Sequence, residues 1–196
     1  MRYFVTGGTG LIGRFLVDQL LDRGGEVYLL VREGSQDKLP GLHEFWGDHD
    51  GEVIPVFGDI TNEGVLDDSD EVDELAGTID HFFHLAAVYD LGVDDDFAEK
   101  INVQGTEHVV DLANALAGDL IFHHVSSIAV AGDYEGFYRE DFFDQGQSFD
   151  NAYYRTKFES EKAVRDNVEV PLRVYRPGIV VGSSKTGETD KIDGPY

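Results

Sequence analysis

The sequence predicts an α/β fold, a doubly wound parallel sheet with helices on both faces, and three observations carry that expectation. Strand-like and helix-like segments alternate along the chain, the pattern of strands joined by crossover helices. The strand-like segments are nearly continuous apolar runs, as in Glu26–Val31, and strands covered on both faces read that way. The first strand runs directly into a glycine-rich loop and then a helix.

In chain order, Arg2–Thr6 is the first predicted strand. Leu11–Asp22 is the first helix, with Leu11, Phe15, Leu16, Leu20 and Leu21 as its apolar face, and Gly24-Gly25 ends it. Further strands are expected at Glu26–Val31, Val53–Phe57, Ile79–Leu85, Leu120–Ser126 and Leu172–Tyr175, with helices at Asp95–Leu116 and Tyr153–Arg165. Residues 132–151 are aperiodic and rich in Phe, Tyr, Asp and Glu, a surface excursion expected near a substrate. The 196 residues suffice for one filled core and little more. Little follows the sixth strand, whereas ligands of doubly wound sheets lie beyond the carboxyl ends of the strands. A C-terminal substrate-binding portion is therefore expected to be missing, and the chain to be a fragment of a longer enzyme.

Charge narrows the partners. Asp and Glu total 39 against 15 Lys and Arg, a formal net charge of −24. Such a surface repels nucleic acid and anionic membranes, which leaves a small-molecule substrate and, at most, a second copy in a homodimer. The acids are dispersed along the chain, as in cytosolic proteins of salt-loving microbes, and a halophilic source is expected. No apolar run reaches the roughly 18 residues of a membrane span, the N-terminus lacks a signal-peptide pattern, and a cytoplasmic location follows. The absence of cysteine excludes disulfides and a thiol nucleophile. His123 and His124 are adjacent in a strand and point to opposite faces, His81 and His84 have no ligand spacing to a partner, and no metal site is expected. A serine hydrolase is unsupported because no Gly-x-Ser-x-Gly elbow occurs.

The loop after strand one reads Thr6-Gly7-Gly8-Thr9-Gly10-Leu11-Ile12-Gly13. Glycine is needed where φ is positive and where a side chain would block approach of a pyrophosphate. The helix that follows offers free N–H groups and a partial positive charge to phosphates. In this strand–loop–helix context the pattern predicts a Rossmann-type dinucleotide site. An acidic residue ending strand two would hold a ribose 2′-hydroxyl, and an arginine a 2′-phosphate. Here Val31 is followed by Arg32, with Lys38 beyond. NADP is the expected cofactor, although Glu33 and Asp37 lie close, and NAD is the alternative.

Tyr153 and Lys157 stand at i and i+4 on one face of a predicted helix. A free phenol is a poor acid–base catalyst at neutral pH, and a neighbouring ammonium favours its ionised form. Strand five ends in Ser126-Ser127, where a hydroxyl can position a reacting oxygen. Together these residues suit proton transfer to a carbonyl or carbinol oxygen during hydride transfer.

Thr6–Gly13, Gly58-Asp59-Ile60, Leu85-Ala86-Ala87, Asn102-Val103-x-Gly105-Thr106, Ser126-Ser127…Gly132, Tyr153-x-x-x-Lys157 and Arg176-Pro177-Gly178 together resemble the extended short-chain dehydrogenase/reductases. The resemblance covers nearly the whole chain in the family's order. It implies a catalytic triad of Ser127, Tyr153 and Lys157, with Ser127 chosen over Ser126 because it lies five residues before Gly132. It also implies that Lys157 binds the nicotinamide ribose, that Asp59 and Ile60 face the adenine, and that Leu85, Ala86 and Ala87 line the cofactor channel. Pro177, Gly178 and Ile179 would lie by the nicotinamide, and Asn102 would support the catalytic helix through a water. Leu30-Val31-Arg32, His84–Tyr89 and Tyr153–Lys157 look most like the thioester and fatty-acyl reductases. The nucleotide-sugar epimerases and dehydratases, which use NAD, share the core motifs and are the alternative. A non-catalytic dinucleotide-binding sensor would be expected to lose the Tyr–Lys pair, which is intact.

Overall fold

Apolar strands with no wet face need a helical layer on each side, and the chain supplies both. The computed structural model describes residues 1–89, 94–182 and 187. Its strands are β1 (Arg2–Thr6), β2 (Glu26–Val31), β3 (Glu52–Phe57), β4 (His81–His84), β5 (Ile121–Val125) and β6 (Leu172–Tyr175). They form one sheet in the order β3-β2-β1-β4-β5-β6, with every neighbouring pair parallel. The order reverses between β1 and β4, and ligands of such sheets bind outside the strand ends at that switch point.

Helices α1 (Leu11–Leu21) and α2 (Leu39–Trp46) cover one face, where Val17, Leu20, Leu42 and Trp46 pack on Tyr3, Val5, Val27 and Leu29. The Trp46 indole N–H donates to the Arg14 carbonyl at 2.9 Å and ties the two helices together. The other face carries α3 (Asp70–Leu75), α5 (Gly105–Ala115) and α6 (Ala152–Asn167), and there Leu75, Val109, Leu112 and Val164 pack on Phe4, Phe82 and Phe122.

The six predicted strands all form, three of them with the predicted ends and three with ends shifted by one or two residues. Three differences have physical causes. The buried face of α1 is Gly13, Val17, Leu20 and Leu21, whereas Leu11 and Phe15, expected to be apolar contacts of the core, are exposed. Phe15 instead meets Phe45 of α2 edge-on at 5.3 Å, so the hydrophobic pair is spent between helices. Helices α2 and α3 and the 3₁₀ turn at Glu33–Lys38 are too short for a periodic signal. The expected long helix over 95–116 is α4 (Asp95–Glu99) and α5 separated by a π-helical turn, Lys100–Gln104. Residues 132–151, expected to be aperiodic, contain neither helix nor strand. None of the helices among the described residues is long and apolar enough to cross a membrane.

Candidate active site

Two glycines make the loop after β1 possible. Gly7 has φ +75°, and a Cβ there would lie 2.5 Å from the Ala86 nitrogen, so the loop and the segment after β4 meet backbone to backbone. A Cβ on Gly13 would fall 2.2 Å from the Gly7 carbonyl oxygen, which is why α1 can start directly against the loop. No side chain caps α1 at Gly10, and its first N–H groups are left for another acceptor. Beside this terminus a cleft of about 470 Å³ is lined by Thr9, Gly10, Leu11, Arg14, Lys38 and Phe45, among others. Glycines packed against backbone, an uncapped helix terminus and the cations Arg14 and Lys38 in so acidic a chain fit the phosphates of a dinucleotide. Leu11 and Ile12 are exposed beside it. Arg14, unnoticed in the sequence, was signalled only by following Gly13. Arg32 is exposed at the end of β2, its Nε 3.5 Å from Ser35 Oγ.

Beyond β3, Asp59 folds its carboxylate back to accept from the Thr61 N–H at 2.8 Å. The Ile60 side chain, expected to face the adenine, is buried in the core beneath Gly105. Leu85 and Ala86 are half-buried and Ala87 is exposed, and the Leu85 N–H donates to the Thr6 carbonyl at 3.1 Å.

A buried polar chain connects this half of the site to the next. Thr106 Oγ1 donates to the Asn102 carbonyl at 2.6 Å and therefore accepts from His84 Nε2 at 3.0 Å. That tautomer leaves His84 Nδ1 to accept from Thr6 Oγ1 at 2.7 Å. Burial, with a smaller push from Lys157, lowers the His84 pKa to about 3. Asn102, at the middle of the π-helical turn, accepts from the Val88 N–H at 2.8 Å. Its amide donates to the Val88 carbonyl at 2.9 Å and to Thr156 Oγ1 of α6 at 3.1 Å. Asn102 thus reaches the helix directly, where a water was expected.

Asn151 caps α6 by accepting from the Tyr154 N–H at 2.9 Å, placing Tyr153 in the first turn and Lys157 one turn on. Tyr153 is half-buried. Lys157 is 4% exposed and donates to the Val125 carbonyl at 3.0 Å, which seats α6 against the end of β5. Burial lowers its pKa to about 8, and the nearby Glu161 carboxylate opposes that shift. Two residues past Val125, Ser127 Oγ accepts from the Ala129 N–H at 3.1 Å. The Ile128 N–H donates to the Pro177 carbonyl at 3.0 Å, so Pro177 lies beside Ser127, and Gly178 and Ile179 run on exposed. Ser126 Oγ and both ring nitrogens of His124 are buried without a hydrogen bond of good geometry. His123 instead faces the opposite side, stacked on Phe83 at 4.1 Å and bonded to His81 and Tyr175. The histidines are spent on packing and internal bonds.

Sequence reading assigned no role to Glu161 or Arg176. Arg176 donates from Nε and Nη2 to the two oxygens of buried Glu161 at 3.0 and 2.6 Å and from Nη1 to the Phe142 carbonyl at 2.7 Å. It thereby pins the 132–151 excursion to α6. The signal was Glu161 continuing the Tyr153–Lys157 face by one more turn.

Comparison with known proteins places this geometry in context. Residues 5–196 match the family model of male sterility protein. The chain is 29% identical over 205 residues to a linear gramicidin synthase of Brevibacillus parabrevis, covering 96% of this chain and 4% of that protein. It is 24% identical over 234 residues to fatty acyl-CoA reductase wat of Drosophila melanogaster, covering 98% of this chain and 45% of that one. The crystal structure of the terminal R domain from the myxalamid PKS-NRPS pathway aligns with a TM-score of 0.81 and 26% identity, over 93% of this chain and 50% of that one. The chain spans half or less of the length of these relatives.

Proposed function

Because the chain belongs to the male sterility protein family, an NAD-binding branch of the extended short-chain dehydrogenase/reductases, we propose that it serves an NADP-preferring reduction of an acyl thioester. The observation that carries the reading is Lys157 on the Val125 carbonyl. That contact seats the turn of α6 that carries Lys157 against the end of β5, two residues before Ser127 and on the same edge of the sheet as the glycine loop. The resemblance to a fatty acyl-CoA reductase and to an R domain favours a thioester over other carbonyl or alcohol substrates.

The backbone N–H groups opening α1 hold the pyrophosphate, and Arg32 with Lys38 attracts the 2′-phosphate. Asp59 borders the adenine and Leu85–Ala87 the channel, while Pro177–Ile179 flank the nicotinamide. When bound, the reduced cofactor supplies a hydride to the carbonyl carbon. Ser127 donates a hydrogen bond that orients the carbonyl oxygen. Tyr153 delivers a proton to that oxygen as negative charge develops. The Lys157 ammonium stabilises the charge left on Tyr153 and holds the ribose. Collapse of the resulting hemithioacetal breaks the carbon–sulfur bond and yields aldehyde and thiol.

NADPH oxidation with an acyl-CoA, followed spectroscopically, tests the reading. Tyr153→Phe should lower kcat about 100-fold or more with little change in KM, and near-normal turnover would show the mechanism to be wrong. Fluorescence titration should give tighter binding of NADPH than of NADH, by about tenfold or more, with Arg32→Ala narrowing the gap; equal affinities would overturn the NADP preference. Turnover of a nucleotide sugar in place of the thioester would move the chain to the epimerase and dehydratase branch.

A further inference from the structure

Glu161 lies one helical turn beyond Lys157 on α6, so the two side chains share a face. Neither reaches solvent, since Lys157 is 4% exposed and Glu161 0%. A carboxylate so buried survives as an anion only if its oxygens are satisfied. Here they are: Oε1 accepts from Arg165 Nε at 2.8 Å and Arg176 Nη2 at 2.6 Å, and Oε2 accepts from Arg176 Nε at 3.0 Å. Burial pushes the Glu161 carboxyl up, but hydrogen bonding to Arg176 and Arg165 outweighs it and holds the pKa below the usual range.

The groups facing Lys157 are few. His84 of β4 and His124 of β5 feel its charge, and burial keeps both imidazoles neutral. Val125 offers a carbonyl, and Tyr153 stands one turn back on α6. Among the described residues Glu161 is the anion whose charge opposes the loss of hydration at the ammonium. We propose that Glu161 is an electrostatic positioning residue, its clamped carboxylate keeping the buried Lys157 charged, while Arg176 and Arg165 keep that carboxylate charged. The catalytic meaning of this arrangement rests on the role given to Lys157 above; the arrangement itself is testable without turnover. With a midpoint of about 8, Lys157 is about four-fifths charged at pH 7.4, and one unit less would leave about three-tenths.

Side-chain NMR of ¹³C-lysine protein follows the ionisation directly. The sequence has six lysines, and the signal missing from Lys157→Met identifies the buried one. In the parent it should titrate near pH 8, in Glu161→Gln at least one unit lower, and in Glu161→Asp between the two. Arg176→Gln takes two donors from the carboxylate and lets it take up a proton more readily, so the Lys157 midpoint should fall, by less than in Glu161→Gln. A Glu161→Gln midpoint within 0.3 unit of the parent overturns the proposal, as does an Arg176→Gln midpoint that rises. If Glu161→Gln fails to fold by thermal melting, Arg176→Gln decides alone, and a midpoint at or above that of the parent overturns the proposal. Failure to oxidise NADPH would count against the reductase reading and leave these midpoints unaffected.

Discussion

Acid should unlatch this protein through His84. The imidazole is neutral because it is buried and because Thr6 and Thr106 occupy its two nitrogens as donor and acceptor. Its folded pKa is about 3 against an unfolded 6.5. The unfolded chain therefore binds a proton between these values while the folded chain does not, and stability present above pH 6.5 is lost as pH falls toward 3. At pH 5 the ring is 1.5 units below its unfolded pKa, a loss of about 2 kcal/mol at 1.36 kcal/mol per unit. Carboxylates and the other histidines also titrate, so the comparison must be internal. Urea denaturation of the parent and of His84→Phe at pH 7.5 and 5.0 isolates the residue. The variant starts lower, by about 1–3 kcal/mol, because the Thr6 hydroxyl loses its acceptor. Between the two pH values it should then lose about 2 kcal/mol less than the parent. Equal losses in the two proteins would refute the account of a neutral, doubly bonded His84.

The glycine loop separates stability from binding. Gly13→Ala, whose Cβ would meet backbone at 2.2 and 2.5 Å, should cost about 1–3 kcal/mol in denaturant melts and abolish cofactor binding. Gly10→Ala meets only the Gly7 oxygen, at 3.3 Å, and should keep stability within about 0.5 kcal/mol while weakening NADPH at least about tenfold by titration; unchanged affinity would remove the pyrophosphate from this loop. With a net charge of −24, the melting temperature should rise by roughly 5 °C or more between low and molar KCl, and equal melts would end the halophile reading.

Strand positions were legible because a doubly covered strand is apolar over its whole length, and the glycine loop because backbone contact at Gly7 and Gly13 tolerates no other residue. Tyr153 and Lys157 were proposed from their i, i+4 spacing, and Ser127 rather than Ser126 from the family resemblance. What escaped notice depended on side chains meeting across elements. Arg176 and Glu161 are 15 residues apart and pair only once β6 lies along β5. The Thr6–His84 bond spans 78 residues, and nothing local in either segment foretells it. The outward turn of Phe15 is likewise decided by Phe45 of another helix. Helices α2 and α3, at eight and six residues, are too short for periodicity to show.

The π-helical turn at Lys100–Gln104 bears on how this sequence can change length. A regular α-helix turns about 100° per residue, and a π turn accommodates one residue beyond that pitch. Deleting Val103 or Gln104 would restore a regular helix and swing α4, together with Asn102, by about 100° relative to α5. Asn102 would then lose Val88 and Thr156 while Thr106 stayed on His84. No point substitution reproduces or repairs that change. The position of Asn102 is thus held by a count of residues as much as by their identity, and in homologues a gap here should coincide with a different partner for the residue at position 156.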